Sequence, residues 1–149
     1  MDKMAGLYVP FVCRDQFYYL VKKRQWRYII YKIEEHEHDS VEIDKCGPRS
    51  SSFAFFHASM PTDEPRWVVY DFEYEVVEHG RASTKSKLLF ITYRPDISTD
   101  TQCKNLILFR KDYFKNKITE KTGVHPNIME YKATCHEDLD YDQIKKRIM

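Results

Sequence analysis

The densest run of chemistry-capable side chains is Glu34-Glu35-His36-Glu37-His38-Asp39. On an extended strand alternate side chains share a face, so His36 and His38 would point the same way, with carboxylates beside them to complete a metal site. A zinc centre needs further ligands from elsewhere, and nothing nearby supplies them at a recognised spacing. A solvated, charged hairpin tip accounts for the same residues. A metal-dependent enzyme built on His36 and His38 therefore stands only as a remote alternative. Cys135-His136 has the elements of a thiolate nucleophile, which requires a positioned base and electropositive surroundings. Glu137 and Asp138 supply the opposite charge. There is no GxxxxGK[ST], GxGxxG or GxSxG motif, and four glycines leave little backbone to cradle a phosphate. The chain reads as a non-enzyme, with no cofactor and no metal expected.

A third constellation is electrostatic. On a helical wheel Lys111 and Lys115 fall within about 20° of Lys104, a basic stripe. Arg110 and Lys117 misfit, landing in the arc of Leu106, Ile107, Phe109, Tyr113 and Ile118, so either they snorkel or the helix bends. Globally 24 Lys and Arg face 23 Asp and Glu. That balance excludes the broad basic field of a nucleic-acid binder and leaves local patches.

The elements that must position these groups follow from periodicity. Arg14–Arg24 predicts a helix through Phe17, Leu20 and Val21, and Trp26–Ile33 an aromatic, β-branched strand. Val41–Lys45 predicts a second strand, broken by Gly47-Pro48. Ser50–Met60 predicts a short helix with a serine cap, and Arg66–Val76 a half-exposed alternating strand. Leu88–Ile91, apolar on both faces, predicts a central strand. Asp100–Lys117 predicts the longest helix, with Gly123 as its stop; Ile128–Lys132 a last strand; and Leu139–Ile148 a final helix after an acidic cap. The order α-β-β-α-β-β-α-β-α implies a mixed sheet covered by helices on both faces. The four scattered cysteines form no CxxC pair and no apolar run approaches the roughly 18 residues of a membrane helix. With no secretory h-region either, reduced thiols and a cytoplasmic location are the expectation.

The segment Trp67-Val68-Val69-Tyr70-Asp71-Phe72-Glu73-Tyr74-Glu75, followed by Lys85-Ser86-Lys87-Leu88-Leu89-Phe90-Ile91-Thr92-Tyr93-Arg94-Pro95-Asp96, resembles the actin-depolymerising factor/cofilin family. In that family a strand reading about YAxYDFxY precedes a [KR]-S-K turn, then a strand ending in an aromatic, one residue and Pro-Asp. Arg27–Ile33 is similar to its first strand and Leu139–Ile144 to the start of its last helix, so the resemblance covers nearly the whole chain. It implies one α/β domain of the α+β type over 1–149, with about five mostly antiparallel strands in a mixed sheet sandwiched by about four helices. It further implies a monomer that binds actin monomers and filaments and severs or depolymerises filaments in the cytoplasm. Phosphoinositides are a further candidate partner. Relatives such as coactosin and glia maturation factor, which bind filaments or a branching complex without depolymerising them, give the alternative function.

Carried over residue by residue, the resemblance implies a monomer-and-filament surface of Ala5, Gly6, Leu7, Gln102, Lys104, Asn105, Arg110, Lys111 and Lys115. It implies a filament-specific surface of Lys85, Lys87, Lys146 and Arg147. Ala5-Gly6-Leu7 stands where many members have Ser-Gly-Val, so a regulatory serine is missing at that place. Along the long helix Gln102, Lys104 and Asn105 take the Arg/Lys, Lys and Met places. Ile107-Leu108-Phe109-Arg110 replaces Tyr-Ala-Ser-Ser before Lys111-Asp112. Lys146 replaces an acidic residue.

Overall fold

The structure, a computed structural model, describes residues 6–35, 38–120, 122–123 and 127–149. Its strands are β1 (Leu7–Tyr8), β2 (Trp26–Glu35), β3 (Asp39–Pro48), β4 (Arg66–Glu78), β5 (Arg81–Tyr93) and β6 (Ile128–Ala133). The helices are α1 (Phe11–Val21), α2 (Phe53–Ser59), α3 (Thr101–Phe109), α4 (Lys111–Thr119) and α5 (Tyr141–Ile148), with a 3₁₀ turn at His136–Asp138. The strands form one sheet in the order β1-β3-β2-β4-β5-β6, antiparallel except at the outer pairs β1–β3 and β5–β6. The expected α+β class and mixed, mostly antiparallel sheet are what is found. A sixth strand of two residues, too short to carry an alternation signal, lies at one edge.

Alternation divides the interior into two cores. Ile29, Tyr31, Trp67, Val69 and Phe90 point to the face covered by α1, α3 and α4. Tyr28, Ile30, Val68, Tyr70, Phe72, Leu89 and Ile91 point to the face covered by α2 and α5. Trp67 stacks on Phe114 of α4 with ring centroids 4.4 Å apart, and its Nε1–H donates to the Ile107 carbonyl at 3.0 Å. On the other face Tyr28 stacks on Tyr70 beside Phe56. β4 was expected to be half exposed, but Arg66–Phe72 is buried on both faces because the strand lies between β2 and β5 under both helical layers.

Gly47 does not break β3, which runs on to Pro48. Glycine is required there because a Cβ would come within 2.1 Å of the buried Tyr28 ring. Ser52 caps α2 as expected, accepting from Phe55 N–H at 3.1 Å. α5 is capped by Asp140, whereas Glu137 and Asp138 belong to the 3₁₀ turn. That turn is tied to α2 by His57 and His136. Each Nε2–H donates to the other residue's carbonyl, at 3.1 and 2.9 Å.

The long helix expected over 100–117 is two helices meeting at Arg110, whose backbone leaves helical values at φ −106°, ψ 9°. The cause lies in the buried stripe of Cys103, Ile107, Phe114 and Ile118, which points at the sheet. A straight helix through those four would set Arg110 at the edge of the stripe, about 20° from the line of Cys103, and a guanidinium pressed there is costly to bury. At the bend Arg110 is half-buried.

Candidate functional site

The loop after β5 fixes the start of α3. Arg94 N–H and Asp96 N–H donate to Ala133 and Thr134 carbonyls, which ties the loop to the end of β6. Arg94 Nε donates to the Lys104 carbonyl at 3.2 Å, and Lys104 Nζ reaches back to the Asp96 and Ser98 carbonyls at 3.3 and 3.5 Å. Asp100 caps the helix through Cys103 N–H at 3.0 Å. The Tyr93-Arg94-Pro95-Asp96 segment therefore acts as a strap that sets the height of α3 over the sheet.

The three lysines of the expected stripe are engaged within the chain. Lys104 holds the strap. Lys111 and Lys115, one turn apart on α4, each take one oxygen of Glu130 on β6, at 2.6 and 3.0 Å. The hydrogen bond from Lys111 is the main reason the Glu130 carboxyl is held below the usual glutamate range. A basic stripe is thus present, partly neutralised from the neighbouring strand.

The outward ridge of the helix pair is a different set: Gln102, Asn105, Phe109, Asp112 and Asn116 are exposed. Phe109, expected in the buried arc, is 68% exposed. The wheel fails for it because the core line runs through Cys103 and Phe114. Centring the wheel on those two residues would have placed Phe109 outside. Gly6 is exposed at φ +71°, and Leu7 is fully buried in strand pairing with Asp39, so its side chain anchors the segment rather than facing outward. Ala5 lies outside the described residues.

The second basic group sits on a projection. β2 pairs with β4 only as far as Tyr28↔Tyr70, and β6 pairs with β5 only from Leu88 on, while β4 and β5 pair with each other out to Glu78↔Arg81. The hairpin from Asp71 to Lys87 therefore stands clear of neighbouring strands. It carries Lys85, in an exposed pair with Glu78 at 2.8 Å, and the half-buried Lys87. Lys146 and Arg147 are exposed in the last turn of α5, with Arg147 over the Tyr131 ring at 5.8 Å.

Of the histidine run, His36 lies outside the described residues and His38 is exposed before β3. Among the described residues Glu35, Asp100 and Cys103 place ligand atoms within 4.8 Å of one another. Their chemistry suits a metal poorly: Asp100 is already a helix cap, and burial pushes the Cys103 thiol up to about 12, far from the thiolate a metal needs. All four cysteines are free, and among the described residues no helix is long and apolar enough to cross a membrane.

A strapped, bent helix pair on one face and a projecting hairpin that carries Lys85 and Lys87 are the two features of the site. Residues 7–149 match the family described as cofilin/tropomyosin-type actin-binding protein. The chain belongs to the cofilin family. Among curated relatives, actin-depolymerizing factor 8 of Arabidopsis thaliana is 34% identical over 147 residues, covering 99% of this chain and 97% of that protein. Streptomyces griseoflavus cofilin has the same fold, with a TM-score of 0.78 at 23% identity over 95% of this chain and 96% of that one. Coactosin from Entamoeba histolytica superposes with a TM-score of 0.71 at 18% identity, over 97% and 96% of the two chains. This cofilin-family member is an actin-binding regulator and not an enzyme.

Within it, the structure brings Lys104, Lys111 and Lys115 to one flank of α3–α4, with Gln102 and Asn105 on the adjoining ridge and Arg110 at the bend. Lys85 and Lys87 are separated from them on the hairpin. Phe109 and Glu130 are the residues that sequence reasoning missed. Glu130 has no local signal, since its role comes from β6 lying alongside α4.

Proposed function

We propose that the chain binds monomeric and filamentous actin and promotes filament severing and depolymerisation in the cytoplasm, as a monomer. The observation that carries this reading is the separation of two surfaces: the α3–α4 flank and ridge on one helical layer, and the hairpin standing clear of the sheet. A binder with two separate surfaces can touch two subunits of a filament and favour the filament conformation that suits both, weakening the contact between them. Gly6, Gln102, Lys104, Asn105, Phe109, Arg110, Lys111 and Lys115 would meet the subunit that is also bound as a monomer, with Ala5 preceding them in the chain. Lys85, Lys87, Lys146 and Arg147 would meet its neighbour, and the same basic groups are the candidates for phosphoinositide contact.

Charge reversal tests the division. Lys104→Glu should weaken monomer and filament binding together by more than about tenfold, if the contact is desolvated. Lys85→Glu with Lys87→Glu should leave monomer binding intact and damage filament binding and severing. Normal monomer binding by Lys104→Glu at low salt would sink the assignment, because surface charges are least screened there. One observation favours the second reading, a coactosin-like filament binder without depolymerising activity: Glu130 already holds two lysines of the monomer surface. An effect confined to the Lys85/Lys87 variant would select it.

A further inference from the structure

The ladder between β2 and β4 ends at Tyr28↔Tyr70, yet β4 continues, and its next carbonyls on that edge, Asp71 and Glu73, have lost their strand partner. Both are supplied by side chains. Arg27 Nη1 donates to the Asp71 carbonyl at 3.0 Å, and the Tyr141 hydroxyl of α5 donates to the Glu73 carbonyl at 3.1 Å. The same two residues grip the hairpin root through its faces. Arg27 Nη2 pairs with the Glu73 carboxylate at 2.6 Å, and the Tyr141 ring stacks on Phe72 with centroids 4.8 Å apart. Successive residues of a strand point to opposite faces, so the root is held on both faces and along its open edge.

We infer that Tyr141, with Arg27 opposite, is a positioning residue that sets the angle of the projecting hairpin and couples it to α5. This inference rests on the proposed filament-binding reading. α5 begins at Tyr141 and carries Lys146 and Arg147 about one and a half turns further on, while the hairpin carries Lys85 and Lys87. A cleft of about 400 Å³ separates them, lined by Glu73, Glu75 and Thr84 on the hairpin side and by Tyr141 and Lys145 on α5. The two halves of the filament-side surface thus belong to different elements, joined at the hairpin root. Without a bracket, a two-stranded ribbon with no third strand is marginally ordered, and lysines near its end would sample many directions. Ordering them before binding removes part of the entropic cost that filament contact otherwise carries.

Tyr141→Phe removes the hydroxyl and keeps the ring on Phe72, so the fold should survive it. Two readouts are taken on the whole chain. Amide hydrogen exchange should speed up over residues 73–86 and remain unchanged in β2 and the buried part of β5. Actin monomer binding should match wild type, while filament co-sedimentation weakens about three- to tenfold, the effect of one lost hydrogen bond. Reversal of Lys85 and Lys87 should cost less in the Tyr141→Phe background than in wild type, since the bracket acts through those lysines. Tyr141→Leu, which removes ring and hydroxyl, should enlarge the exchange and filament effects together. Unchanged hairpin exchange, or equal loss of monomer and filament binding, would overturn the inference. If wild-type chain fails to bind filaments, the functional reading is lost and the coupling to it falls as well. Exchange in the hairpin would then still report whether the bracket exists.

Discussion

Glu130→Gln is the sharpest test of how the α4 flank is charged. In the folded chain Glu130 gives one oxygen to Lys111 and the other to Lys115, and its side chain is 39% exposed. Partly exposed pairs of this kind contribute about 0.2–1 kcal/mol each, so losing both should cost about 1 kcal/mol, or a Tm drop of roughly 2–4 °C for a chain of this size. The sign with pH follows from the depressed carboxyl. A folded-state value below the unfolded one means the stabilisation is fully present above the unfolded glutamate pKa, near 4.5, and is lost as pH falls through the folded value. Thermal melts of wild type and variant should therefore differ at neutral pH and converge by about pH 3. They should also converge in about 1 M salt, where the screening length is roughly 3 Å. In the actin assay the same change releases two lysines, so association with acidic groups on actin should speed up at low salt. Identical melting at neutral pH and low salt, or a difference that persists in acid, would refute the reasoning.

Gly47→Ala should destabilise by about 3 kcal/mol, the upper end of overpacking costs, because the added Cβ meets Tyr28 at 2.1 Å and that ring is stacked against Tyr70. Urea titration should show a lower midpoint with an unchanged slope. Phe109→Ala should leave stability within about 0.5 kcal/mol, since the ring is exposed, yet weaken actin monomer binding by about 1–2 kcal/mol in calorimetry. Glu35→Gln should raise the Tm at neutral pH. Desolvation and the nearby Asp100 push the Glu35 carboxyl up, so its ionisation costs stability as pH rises, and the gain should vanish where both states are protonated.

The central strands, the serine cap and the end of β5 at Pro95-Asp96 were legible because their signals are local. Alternation marks Val68 to Tyr74, Ser52 precedes an aromatic run, and Pro95-Asp96 follows a strand. What was not legible depends on neighbours in space. β1 has two residues and takes its strand character from Asp39 and Ser40 across the edge. The burial of both faces of β4 follows from its central place in the sheet. Arg110 was visible as a misfit on the wheel, but the choice between snorkelling and bending was made by Cys103, Ile107, Phe114 and Ile118 packing on the sheet. In the candidate site, the lysines could be named from the resemblance. Their engagement by Glu130, and the outward turn of Phe109, could not.

The most direct test is to image single actin filaments, from the same organism, as the wild-type chain is added below saturation. The account predicts breaks along the filaments and accelerated loss of subunits, abolished by reversing Lys85 and Lys87. Filaments that are decorated yet remain intact would contradict it.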